Sequence, residues 1–142
     1  MRSLLFMSMM LAASVAGAQN TLTVVVDGIE SSNGKIMLAV YDSAGFLKQP
    51  LYFGMAKVED GQEEVTIVIE NVASGQYAVS VFHDENDNNQ LDTGAFGIPL
   101  EPYGFSNNAK GKMGPPSFQD CMIPVEEDTE INITFGARNS SL

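Results

Sequence analysis

The chain has 142 residues with 18 acidic side chains against 7 basic ones, a net charge of −11 and one cysteine. No cluster of Lys or Arg provides the basic footprint that nucleic acid or an anionic membrane surface requires, so those partners are excluded on charge. The lone Cys121 excludes an internal disulfide, and as a small apolar residue it is read as part of a core.

The first element is an export signal. Arg2 is followed by an apolar stretch from Leu4 to Val15 and by the small residues Ala16, Gly17 and Ala18, the three-part layout of a secretory leader cleaved after Ala18. The stretch is shorter than the roughly 17–25 residues of a spanning helix. No cysteine follows the cut to carry a lipid. Residues 1–18 are therefore expected to be removed, leaving residues 19–142 as a single domain in the periplasm or outside the cell, with no transmembrane segment and a charge of −12 after loss of Arg2.

Beyond the leader, apolar residues recur at period two, which marks strands with one face on a core. Thr21 to Val26 is the first. A turn at Ser31 to Lys35 with Asn33-Gly34, read as a tight hairpin, leads into Ile36 to Tyr41, where Ile36, Leu38 and Val40 share a face. The stretch Phe46 to Val58, interrupted by Pro50 and Gly54, holds an edge strand around Met55 to Val58. Val65 to Ile69 alternates cleanly between flanking glutamates. A turn over Asn71 to Gln76, with Gly75 as its flexible point, feeds Tyr77 to His83. A short strand at Cys121 to Val125 and a last one at Ile131 to Phe135 complete about seven strands, the spacing of an all-β, Greek-key-like sandwich.

Asp84 to Gln119 breaks this rhythm, with roughly 35 residues showing neither strand nor helix pattern, far beyond a common loop. Its apolar content, including Phe96, Ile98, Leu100, Tyr103, Phe105 and Phe118, exceeds that of a disordered linker and predicts an ordered excursion. Tyr103, Phe105 and Phe118 are the candidate binding surface for an unknown protein or envelope ligand.

At the start of the excursion, DENDNNQLD places Asp84, Asn86 and Asn88 at positions one, three and five, Gln90 at seven and Asp92 at nine. Ca²⁺ takes six to eight oxygens, and alternating Asp/Asn side chains can curl around one ion while the carbonyl of residue seven closes the ring. Asn89, at position six, tolerates the left-handed turn needed there. The bidentate Glu of the two-helix calcium sensors is replaced by Ala95, so that architecture is excluded. Remaining oxygens would come from Asp92, water or Glu101, giving a weak structural site with a dissociation constant on the order of 10⁻⁴ to 10⁻³ M. The alternative is a metal-free turn of side-chain-to-backbone hydrogen bonds.

His83 is the single histidine and lies beside Asp84; with neighbouring carboxylates it supports a second reading as a hydrolase. Neither Ser106 nor Ser117 sits in a Gly-x-Ser-x-Gly turn, and no zinc cluster or phosphate loop occurs. Asn132 and Asn139 match the short glycosylation sequon.

The run HDENDNNQLDTGAFGIPLEPYGFSNNA, then GPPSF, resembles the signature of the exported bacterial family called domain of unknown function 2141. Gly34-Lys35-Ile36 and Gly75-Gln76-Tyr77 extend the likeness across Leu22 to Phe135. Members usually read Asn-Gly-Asn-Gly within the loop, where this chain has Asn86-Asp87-Asn88-Asn89. The resemblance implies an exported β-sandwich, similar to transthyretin-like and carboxypeptidase-regulatory domains, and brings no activity with it. The hydrolase-like members of such folds use several His and Arg residues, of which only His83 and Arg138 are present after cleavage.

Overall fold

The computed structural model describes residues 19–136, so the leader and the sequon at Asn139 lie outside the described residues. Eight strands form: β1 (Gln19–Asp27), β2 (Lys35–Tyr41), β3 (Tyr52–Lys57), β4 (Glu64–Ala73), β5 (Gly75–Asp84), β6 (Tyr103–Phe105), β7 (Ile123–Val125) and β8 (Thr129–Thr134), with one short helix, α1 (Phe118–Cys121), before β7. They make a β-sandwich. One sheet has the order β4-β1-β8, and the other runs β3-β2-β5, with β6 and β7 in tandem on the far side of β5.

Alternation sets which side chains meet between the sheets. Leu22, Val24 and Val26 of β1 and Val65, Ile67 and Ile69 of β4 face Ile36, Leu38 and Val40 of β2 and Tyr77, Val79 and Val81 of β5, all buried. Each such aliphatic side chain contributes about 1.5–3 kcal/mol by leaving water. The expected face of β2 is thus observed.

The connections differ from expectation. The Asn33-Gly34 turn is no hairpin, because β1 and β2 lie in different sheets and the chain crosses the sandwich there. The step from β4 to β5 crosses as well. Gly75 does not supply the unusual backbone in that region; Asn71 does, at φ 60°, inside a bulge where the β1–β4 register shifts. The edge strand begins at Tyr52, ahead of the predicted Met55, and Phe118–Cys121 turns as a helix in which the Ser117 hydroxyl accepts the Asp120 N–H, so the strand expected from Cys121 starts at Ile123.

The excursion is ordered but not strand-free. Tyr103–Phe105 pairs antiparallel with β5, with Phe82 opposite Tyr103 and Ser80 opposite Phe105. Phe105 then joins Ala78 and Cys121 in a second small core over the outer face of the sheet, against Phe46 and Phe118. Ser106 ties this layer down: its hydroxyl donates to the Cys121 carbonyl at 2.5 Å and accepts the Val79 N–H at 3.0 Å.

Candidate cation-binding loop

Asp84 ends β5 opposite Lys35 of β2, and its side chain is fully buried. A buried carboxylate must be compensated. Here Oδ1 accepts the Asn88 N–H at 3.2 Å, Oδ2 accepts the Asn89 N–H at 2.8 Å, and the Lys35 Nζ stands 3.8 Å from Oδ2. The chain can curl back this tightly because Asp87 and Asn89 take positive φ, 56° and 63°. Asn89 thus adopts the left-handed turn anticipated at position six.

The alternating side chains repeat a local pattern. Asn86 Oδ1 accepts from Asn88 N at 3.4 Å, and Asn88 Oδ1 accepts from Gln90 N at 3.0 Å. Both carboxamides turn their Nδ2 groups to Asp92, Asn86 donating to Oδ2 and Asn88 to Oδ1, the latter at 2.6 Å. Asp84, Asn86, Asn88 and Asp92 are therefore joined in one hydrogen-bonded network. Gln90 follows at the rim with its side chain exposed.

The donor set fits a hard cation. Each Asp84 oxygen keeps a second lone pair after accepting its backbone N–H. Rotation of the Asn86 and Asn88 carboxamides would exchange nitrogen for oxygen at Asp92. The set has two carboxylates, Asp84 and Asp92, and two carboxamides, Asn86 and Asn88, and among the described residues no three His, Cys, Asp or Glu side chains gather in a metal-holding group. Ca²⁺ bound here would be held by Asp84, Asn86, Asn88, Asp92 and the Gln90 carbonyl.

Glu101 holds the loop through the loop's own backbone. It is 7% exposed, and its two oxygens take backbone N–H groups from opposite ends of the loop: Glu85 N at 2.7 Å and Asp92 N at 2.9 Å. Pro102 next to it accepts the His83 N–H at 2.8 Å, and Leu100 donates to the Asp92 carbonyl at 2.8 Å. Glu101 is a clamp that closes the loop on itself.

Lys35 was not singled out by the sequence. Its ammonium donates to Asn89 Oδ1 at 2.5 Å and lies 3.4 Å from Asp87 as well as near Asp84. Its signal was present as the lone base in Gly34-Lys35-Ile36, but the pairing that brings it to Asp84 is a matter of register. Gly34 makes that approach possible: at φ +70°, a Cβ built on it would stand 1.9 Å from the Asp84 carbonyl oxygen.

His83 faces the core. It is fully buried, stacks on Phe135, and its Nε2 lies 2.5 Å from the Asn33 carbonyl; Nδ1 has no hydrogen-bond partner among the described residues. Of the candidate binding surface, Tyr103 is 47% exposed, whereas Phe105 is buried and Phe118 partly so, since both pack in the second core. Tyr103 and Phe105 do border an open cleft of about 460 Å³, together with Pro99, Pro102, Ala109 and Lys110. No helix among the described residues is long and apolar enough to cross a membrane.

The chain matches the family described as an uncharacterized protein conserved in bacteria (DUF2141) over residues 24–133. No curated protein and no solved structure matches it significantly.

Proposed function

From the premise that the chain belongs to the DUF2141 family, we propose that it is an exported, non-enzymatic binding or structural module, working in the periplasm or outside the cell, whose Asp84–Asp92 loop takes up Ca²⁺ as a structural ion. The observation that carries this reading is the posture of Asp84. A buried carboxylate accepting the N–H groups of the residues four and five positions on is already fixed in place, and the alternate Asn86, Asn88 and Asp92 side chains gather beside it. A cation would meet Asp84 already in place, and the Asn86 and Asn88 carboxamides would turn their oxygens to it from their present contacts with Asp92.

Ligands for the module would bind at the excursion, where Tyr103 and the cleft beside it lie next to the exposed side chains of Ile98 and Leu100. Calcium would act on that surface indirectly, by stiffening its base. The hydrolase reading draws no comparable support: His83 lines neither cleft nor surface, and its Nε2 is engaged by a backbone carbonyl.

Thermal unfolding of the purified protein in calcium and in chelator tests the proposal. With a dissociation constant of about 10⁻⁴ to 10⁻³ M, about 5 mM Ca²⁺ stabilises the folded state by about 1–2.3 kcal/mol. For a domain of this size that is a rise in Tm of roughly 4–9 °C. Equal melting temperatures in the two buffers refute the cation.

A further inference from the structure

Strand β3 is the outer strand of the larger sheet, and its outward side chains Phe53 and Met55 are 70% and 62% exposed. Register extends this apolar character inward: Met55 lies opposite Met37, Met37 opposite Phe82, and Phe82 opposite Tyr103, so one row crosses four strands on the outer face. Met37 and Phe82, flanked by strands on both sides, are only partly exposed. Met55 differs because only β2 flanks it. The solvated face of a sheet is usually polar, and on the smaller sheet Val68 is surrounded by Glu64, Thr66 and Glu70 on β4 and accompanied by Glu130 and Asn132 on β8.

The other long edges are blunted. On β4 the bulge at Asn71 interrupts the ladder and Glu64 and Glu70 project from it; on β8 the Asn108 side chain takes the Thr134 N–H at 2.9 Å. By contrast β3 pairs with β2 without a register shift, contains no proline, and points no charge inward. Such an edge is a template for another strand. Its inner side is closed, because Ile67 and Ile69 of β4 pack so near Gly54 that a Cβ there would stand 2.6 and 2.7 Å from them.

We propose that β3 pairs antiparallel with β3 of a second copy of this chain, about a two-fold axis at Met55. The self-complementary order of Phe53, Met55 and Lys57 selects this occupant. The axis sets Met55 against the partner's Met55 and Phe53 against the partner's Lys57, a cation over an aromatic ring, with no like charges opposed. Self-pairing through β4 about its centre at Ile67 would set Glu64 against the partner's Glu70. Lys57 is the one charged residue of β3, and it lies off the axis. The two apolar rows then join into one stripe across both copies.

Analytical ultracentrifugation of the purified chain, from micromolar to near-millimolar concentration, tests this. The expected mass is that of a dimer. M55E places two carboxylates at the axis and is expected to raise the dissociation constant at least about tenfold with an unchanged circular dichroism spectrum. Equimolar M55E and M55K, each monomeric alone, are expected to restore the dimer. A second readout needs no variant: amide exchange in β3 slows as the wild-type concentration rises. A monomeric wild type, as when β3 serves an extended segment of a different protein, overturns the proposal. So do an M55E chain that stays dimeric, a mixture that stays monomeric, and β3 exchange independent of concentration.

Discussion

Replacing Glu101 by Gln changes one oxygen into an NH₂ group and removes a charge at the clamp of the loop. The buried Glu101 carboxylate accepts from Glu85 N and Asp92 N, at 2.7 and 2.9 Å. In the variant one of those N–H groups must face another donor. Hydrogen bonds to a charged acceptor contribute about 1.5–3 kcal/mol, and an N–H left unsatisfied in a buried place costs about 1–3 kcal/mol. Relief of repulsion from Asp84 and Asp92 offsets a fraction of that, so the closed loop should weaken by about 2–4 kcal/mol. Amide hydrogen exchange is the direct assay, because loops open locally before the domain unfolds. Protection at Glu85 and Asp92 is expected to fall by roughly 30- to 1000-fold, while β1 and β2 change less. Unaltered protection at both amides would refute the clamp.

Gly34→Ala combines a positive φ with a collision against the Asp84 carbonyl, so it is expected to cost more than about 3 kcal/mol; a urea midpoint within error of wild type would contradict the packing described. Alkaline pH should destabilise the fold through two buried groups. Burial, with Asp120 adding to it, pushes the Cys121 thiol from 9.0 up to about 11; burial, then the hydrogen bond with Tyr52, pushes the Tyr77 phenol from 10.0 up to about 12. Both folded values exceed the unfolded ones, so this contribution is complete below about pH 9 and is lost as pH rises through 9–11 for Cys121 and 10–12 for Tyr77, by about 1 kcal/mol per pH unit for each. Urea midpoints at pH 8, 10 and 11 measure it, and a flat profile would contradict the assignment.

The inward faces of β1, β2, β4 and β5 were legible because alternation reports burial directly, residue by residue. Sheet membership was not. Asn33-Gly34 has the chemistry of a hairpin, yet the same left-handed glycine serves a crossing between sheets, and nothing local distinguishes the two. Strand β6 escaped notice because three residues, Tyr103, Gly104 and Phe105, are too few to show a period, and Phe105 looked like a surface aromatic until Cys121 and Phe118 covered it. In the loop, the order of Asp84, Asn86, Asn88 and Asp92 was readable since its geometry is local. The roles of Glu101 and Lys35 depend on strands and turns brought together from a distance.

The order β4-β1-β8 makes the first strand the centre of its sheet and joins it, in parallel, to the last. A chain completed from its amino end therefore holds its central strand with one edge still open, even after Glu64–Ala73 has paired, until Thr129–Thr134 has arrived. Such long-range closure slows folding relative to a chain of local hairpins. Closure of the smaller sheet is therefore the last pairing that the order of the chain allows.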